Sequence, residues 1–377
     1  MTTSPNPLQI VVFGGGTLQF LDEAPAAAPP DGFVWVFLSR TVFDAMLPRL
    51  QAIAQQLGGS PLLELHCRDV RNVFHASDYD YTSIYDLLIF RRVSAEAEAG
   101  EDADLPAPAS AAIEQGPGSF RHLSTRGVTF AIFDRLLISV HAEGCFTART
   151  FIDRYLADAV HSEELNNASS RSRLPASPAD LMLRMANLMV ESSIGLRRKL
   201  GDQIERWQRE LLQPKSRFSN WTGLMAVRNE LHALEDLCEE QQAAMHEWLE
   251  ALREQPLGAQ AQAERDALVA RLRDVIEHVD RVVRHARRME QSAETVVQIH
   301  FNVQGSRTND IMRTLTALTA VFLPLNLIAG IFGMNFEFLP LIHKAGGFWI
   351  ALGSMAVVAL VLVLLFQRKR YLARGGR

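Results

Sequence analysis

From Thr314 to Phe336 the chain runs 23 residues without a charge, directly after a stretch that is charged at almost every turn. An α-helix rises about 1.5 Å per residue, so about 20 apolar residues cross the hydrocarbon core of a bilayer. The segment is long enough to span a membrane, yet it carries Thr314, Thr316, Thr319, Pro324, Asn326 and Asn335. Polar groups inside a membrane are expensive and usually face a bundle interior or a water-filled path. An inert anchor has no need of them, so the segment reads as the wall of a pore.

A second uncharged run, from Ala345 to Gln367, is plainer, with Val, Leu and Ala and no Asn or Thr, and reads as a lipid-facing helix. The basic tail RKRYLARGGR follows it, and basic residues beside a membrane helix mark the cytoplasmic side. Two crossings then place the large N-terminal part in the cytoplasm as well. The connecting loop, with Glu337, His343 and Lys344 as its ionisable residues, faces outside. The expectation is a multi-pass protein of the inner (plasma) membrane with both termini cytoplasmic.

The average composition hides this division. A net charge of −5 with 21% charged residues over 377 positions looks like an ordinary soluble protein. Cys67, Cys145 and Cys238 form no CxxC and suggest reduced thiols rather than a disulfide framework or zinc knot. The N-terminus lacks the basic region and apolar core of a signal peptide, so insertion is expected to be directed by the C-terminal helices.

Residues 1–160 read as a mixed α/β (α+β) domain. The runs Leu8–Phe13, Phe33–Leu38, Tyr85–Phe90, Val128–Phe133 and Leu136–His141 are short, apolar and bounded by turn signals. A helical pattern from Val42 to Leu57 ends at Gly58-Gly59. Ala95–Gly118 is an acidic, Pro- and Gly-rich loop, and Phe133–Leu136 is a hairpin turn. Gly14–Gly16 reads as a turn, since no GxGxxG spacing follows. Asp78-Tyr79-Asp80-Tyr81 reads as a polar loop, with cation binding as the alternative. No Ser/His/Asp, Cys/His or HExxH order supports an enzyme.

From Phe146 the pattern is helical. After a helix to Val160 and a polar linker from Leu165 to Arg173, residues 161–255 hold an antiparallel hairpin. Its first helix starts behind Ser177-Pro178 and breaks at Pro214; its second, Thr222–Arg253, is acidic in its later half. That acidic face is a solvated surface or, alternatively, a reservoir drawing cations toward a pore mouth. Pro256 and Gly258 precede a stalk over residues 256–313. There Leu268, Leu272, Val275, Val279, Val282, Ala286, Met289, Ala293 and Val296 recur by three and four, a narrow seam for other helices. One helix from Ala259 to Phe332 would be about 110 Å long and cannot hide that seam alone, so self-association follows. His278 and His285 lie seven apart, but Arg281, Arg284, Arg287 and Arg288 around them favour a hydrated face over zinc ligation. The remaining segments are the first crossing at 314–335, the loop at 336–344, the second crossing at 345–367 and the tail at 368–377.

Gly333-Met334-Asn335 closes the first crossing. Together with Pro324, Ile328–Phe332, Thr308–Met312 and the following Asn-Phe-Glu-Phe-Leu-Pro, it closely resembles CorA-type divalent-cation transporters over residues 296–341. The resemblance implies a funnel-shaped homopentamer with two transmembrane helices per subunit, the first lining a central pore. Its cargo would be Mg²⁺, with Co²⁺ and Ni²⁺, or zinc with protons if the chain is ZntB-like. A non-conducting oligomeric scaffold or sensor is the alternative from another class. The helical period supports the pore independently: Asn309, Met312, Leu315 (or Thr316), Thr319, Leu323, Asn326 and Asn335 fall close to one face. By resemblance, Asn335 forms the first polar ring, with Asn326 and Asn309 behind it. Met312 and Leu315 would form the apolar constriction, and Glu337 would be the acid of the outer loop. Asp274 is the counterpart of a regulatory acidic stalk residue; with Glu277 and Asp280 it is equally a solvent-facing stalk position. Gln298 stands where an acid often lies at the inner end of the pore, and Leu339-Pro340-Leu341 replaces Met-Pro-Glu. The implied partners are further copies of the chain, membrane lipid and divalent cations, with no nucleic acid and no cofactor.

Overall fold

The computed structural model describes residues 7–94, 124–143, 151–153, 174–211, 221–254, 259–334 and 346–368. The acidic loop of 95–118, most of the helix expected at 146–160, the 165–173 linker, the breaks at Pro214, Pro256 and Gly258, the outer loop, the basic tail beyond Arg368 and Cys145 lie outside them. The chain divides into two compact units, Met1–Glu294 and Thr295–Arg377.

The first unit is built on one seven-stranded sheet. Its strands are β1 (Leu8–Gly14), β2 (Thr17–Leu21), β3 (Phe33–Ser39), β4 (Asp78–Tyr81), β5 (Asp86–Val93), β6 (Thr125–Ile132) and β7 (Leu136–His141), in the spatial order β2-β1-β3-β7-β6-β5-β4. Only β3 and β7 pair in parallel among these neighbours. Alternate residues enter two different cores. Phe33, Trp35, Leu88, Phe90, Val128, Phe130 and Leu137 face one, while Val34, Val36, Leu38, Leu87, Ile89, Ile138 and Val140 face the other. A sheet covered on both sides selects apolar residues at successive positions. That is why these strands stand out as unbroken apolar runs.

The second core is closed by α1 (Phe43–Gly58) and α2 (Glu64–Arg71). α1 stops as its glycines predict: Gly59 adopts φ 85°, the left-handed C′ conformation that glycine enters without a Cβ penalty. Gly15 and Gly16, at φ 59° and 78°, make the two-residue turn of the β1–β2 hairpin. Two elements escape the sequence pattern. α2 is short and largely polar. β4 is an edge strand paired with β5, not a polar loop, and Asp80 within it meets His66 Nε2 at 3.0 Å.

Three long helices cover the first core: α3 (Pro178–Leu211), α4 (Trp221–Glu254) and α5 (Ala259–Phe332), the last continuing into the second unit. Asp180–Arg271 and Asn187–His278 advance together along α3 and α5, so these two are parallel. Arg228–Glu294, His232–Glu290 and Gln242–Asp280 run in opposite senses, so α4 is antiparallel to both. The seam read from sequence is buried: Leu272, Val275, Val279, Val282, Ala286, Ala293 and Val296 are at most 2% exposed. Much of it is therefore used within the subunit, against α3 and α4, rather than on other copies. The second unit contains the end of α5 and α6 (Gly347–Arg368).

Candidate functional site

α5 and α6 contain apolar windows of mean hydropathy 2.0 and 2.7 that are 6% and 0% buried. A core helix of comparable hydropathy would be covered by protein. Here Leu323 and Trp349 are each 70% exposed. Apolar surface of this extent, on two helices of sufficient length, fits a hydrocarbon surround.

Each of the two helices has one shaded stripe. On α5 it includes Ala317, Val321, Pro324, Leu325, Ile328 and Phe332; on α6 it includes Ala351, Met355, Val358, Ala359, Leu362 and Val363. Spacings of three and four on both give each helix one partly covered face. Asn309, Met312, Leu315, Thr319, Leu323 and Asn326 are all exposed and lie on the other side of α5, within roughly a third of its circumference. The polar and apolar residues selected from sequence thus share a face that the subunit itself leaves uncovered.

The hydroxyls on this helix are satisfied locally. Thr314 Oγ1 donates to Asp310 O at 2.9 Å, Thr316 Oγ1 to Met312 O at 2.8 Å and Thr319 Oγ1 to Leu315 O at 2.9 Å. A threonine bonded one turn back is inexpensive in hydrocarbon, so the threonines alone say little about a pore. The amides differ. Asn309 and Asn326 have no hydrogen-bond partner among the described residues. Pro324 removes the donor that would otherwise bond the Ala320 carbonyl.

α5 ends at Phe332. Gly333 N donates to Ala329 O at 2.9 Å and Met334 N to Ile331 O at 3.3 Å, which closes the last turn. A Cβ on Gly333 would sit 3.1 Å from Ala329 O, tighter than an ordinary contact. The helix stops three residues short of the expected boundary at 335. Asn335 therefore cannot be counted on its face by helical period; it lies, with Glu337, outside the described residues.

In the first unit the acidic positions have specific surroundings. Asp274 is 64% exposed with His278 Nε2 at 4.0 Å, and Glu277 is exposed. Asp280 accepts from Gln242 Nε2 at 2.6 Å and has Arg284 at 3.9 Å. His278 Nδ1 bonds Asn187 Oδ1 at 2.6 Å and His285 Nδ1 accepts from Arg288 at 2.6 Å, so the two imidazoles have separate partners. The acidic face of α4 is partly consumed: Glu235 and Glu239 hold Arg287 at 2.5 and 2.7 Å, and Glu240 accepts from Ser77 N at 3.3 Å. It is neither a wholly solvated face nor a free reservoir.

Sequence reasoning also passed over Asp86. Its carboxylate accepts from Tyr79 Oη at 3.1 Å and Trp248 Nε1 at 3.2 Å, beside a cleft of about 340 Å³ lined in part by Thr82, Phe133, Ser177 and Leu268. Burial raises its pKa above the usual carboxylate value, and the two donated hydrogen bonds lower it in part. Nothing in the local sequence marks this site, because Trp248 lies 162 residues away.

A family profile described as CorA-like Mg²⁺ transporter protein matches residues 117–369. The cobalt/magnesium transport protein CorA of Thermotoga maritima is 31% identical over 100 residues, 26% of this chain and 28% of that protein. The magnesium transport protein CorA of Haemophilus influenzae is 29% identical over 100 residues, 26% of this chain and 32% of its own length. The matched stretches thus span less than a third of these curated relatives. The fold is similar throughout to that of the complete CorA magnesium transporter of Methanocaldococcus jannaschii, with a TM-score of 0.70 at 17% identity over 100% of this chain and 99% of that one. The ZntB cytoplasmic domain of Vibrio parahaemolyticus matches 80% of this chain and 98% of its own at a TM-score of 0.50 and 11% identity.

Proposed function

The chain belongs to the CorA-like Mg²⁺ transporter family, and from that premise we propose that it moves Mg²⁺, and with it Co²⁺ and Ni²⁺, through a pore formed by copies of α5. The observation that supports this reading most directly is the uncovered face of α5, where the Asn326 amide, inside the crossing, has no hydrogen-bond partner among the described residues. An unpaired amide facing hydrocarbon is costly; the same amide facing a water-filled axis is solvated.

The chemistry suits a reluctant dehydrator. Mg²⁺ retains several waters when bound, and neutral amides can hydrogen-bond that shell without binding the ion so firmly that it cannot leave. In this reading five subunits surround the axis. Asn335, presented by the Gly333-Met334 turn, forms the outermost ring, and Asn326 and Asn309 form inner ones. Thr319 and Leu323 line the path between. Met312 and Leu315 supply the apolar constriction at which dewetting closes the pore. Glu337 is the acid of the outer mouth. Asp274, Glu277 and Asp280 are the candidate regulatory positions for cytoplasmic Mg²⁺. The basic tail sets both termini on the cytoplasmic side of the inner membrane.

Divalent-cation flux into proteoliposomes containing the full chain tests the proposal, with Mg²⁺, Co²⁺ and Zn²⁺ compared with and without a pH gradient. Mg²⁺ flux independent of the gradient is the expected result. Absence of any divalent flux would leave a scaffold or sensor, and zinc flux that requires protons would replace the channel reading. Asn335→Ala is expected to abolish Mg²⁺ uptake while the oligomer still assembles; wild-type uptake would remove Asn335 from the pathway.

A further inference from the structure

The antiparallel register of α4 and α5 brings together His232, Glu235 and Glu290, whose ligand atoms all lie within 4.8 Å of one another. His232 and Glu235 are one turn apart on α4, and Glu290 faces them from α5, its Oε1 2.9 Å from His232 Nε2. We propose that this triad is a site for a transition-metal dication of the Zn²⁺, Co²⁺ or Ni²⁺ type, contained within one subunit and separate from the ion pathway. The inference does not depend on the transport reading.

Three observations carry it. The first is the donor set. An imidazole nitrogen with two carboxylates suits zinc-type ions, whereas Mg²⁺ prefers oxygen donors and retained water. Donors around one zinc ion, at ~2.0–2.2 Å each, sit about 3–4 Å apart, so small rotamer changes close the observed spacing. The second is charge. Glu235 and Glu239 share a single guanidinium, that of Arg287, while Glu290 meets the His232 imidazole. The three carboxylates outnumber that one guanidinium, an excess of negative charge that a dication offsets.

The third is that the ion can enter without stranding a cation. Arg287 bonds both Glu235 and Glu239, so when the metal takes Glu235 the guanidinium keeps Glu239. Glu235 and Glu290 are only 17% and 20% exposed, which limits screening of their charge, while His232 at 47% leaves a route from solvent. Arg228 and Glu294, one turn further along the helix pair, are occupied with each other at 3.6 Å. The site lies about three turns beyond Asp280 on α5. Filling it fastens α4 to α5.

The test uses the full-length chain purified in detergent and stripped with EDTA, with Zn²⁺ or Co²⁺ alone as the probe. The wild type is expected to retain Zn²⁺ through gel filtration in a large excess of Mg²⁺, and to give Co²⁺ a visible d–d absorption band. His232→Ala and the near-isosteric Glu290→Gln are each expected to weaken Zn²⁺ binding roughly tenfold or more, with helix content by circular dichroism unchanged. Asp274→Asn is expected to leave it intact. A wild type that binds no Zn²⁺ against Mg²⁺, or Zn²⁺ binding that Glu290→Gln leaves unchanged, overturns the proposal.

Discussion

Asp86 is a carboxylate held between a tyrosine hydroxyl and an indole N–H, with burial opposing its charge. Because its folded pKa is raised, its contribution to stability is present below the unfolded pKa and is lost as pH rises through the folded value. Asp86→Asn does not titrate and forfeits one acceptor by an amount independent of pH. The melting temperature of the variant relative to wild type is therefore expected to climb from below about pH 4 to neutrality, and a constant offset would refute the argument. The proposed pathway residues contrast with this one. Asn326 stood out in the sequence because membrane helices rarely carry an amide, and Asn309 and Met312 stood out by helical period and resemblance, whereas His232 gave no signal until the register of α4 on α5 placed Glu290 opposite it.

At the level of elements, the start of α3 shows how a local signal acquires a distant partner. Ser177 Oγ accepts from Asp180 N at 3.2 Å, and Asp180 Oδ2 accepts from Ala176 N at 3.0 Å, a reciprocal cap legible in Ser-Pro-Ala-Asp. Asp180 is 4% exposed and also holds Arg184 at 3.1 Å and Arg271 of α5. Removing its charge leaves two guanidinium groups beside a half-empty site. Asp180→Asn is expected to cost about 2 kcal/mol of stability, read by thermal unfolding in detergent. The faces of α5 give a second test. Cysteine at Met312 or Leu323 is expected to cross-link neighbouring subunits on oxidation, whereas cysteine at Val321 or Ile328, on the shaded stripe, is not. The reverse pattern would turn the Asn326 face away from the axis. The α4 acids show where local reading stops: their solvated appearance in sequence gives way to ion pairs because Arg287 arrives from another helix.

At the scale of the molecule, the second unit carries apolar helices that its own subunit hardly covers. Apolar surface of this extent calls for cover from outside the subunit. Light scattering of the detergent-purified protein is expected to give a protein mass five times the chain's 42.1 kDa; a monomer would leave the α5 face without a pore. The sequence by itself determined the membrane spans and the 74-residue helix that carries the first of them, and it nominated the proposed pathway residues. Those signals are one-dimensional: charge absence over a bilayer's thickness, an unbroken helical period, and polar residues where hydrocarbon disfavours them. It also located five of the seven strands, since a sheet covered on both faces selects continuous apolar runs. Only the tertiary structure decided what the stalk's seam packs against, where α5 stops relative to Asn335, and which charges meet across helices. Those depend on register between segments tens to hundreds of residues apart, which no local pattern encodes.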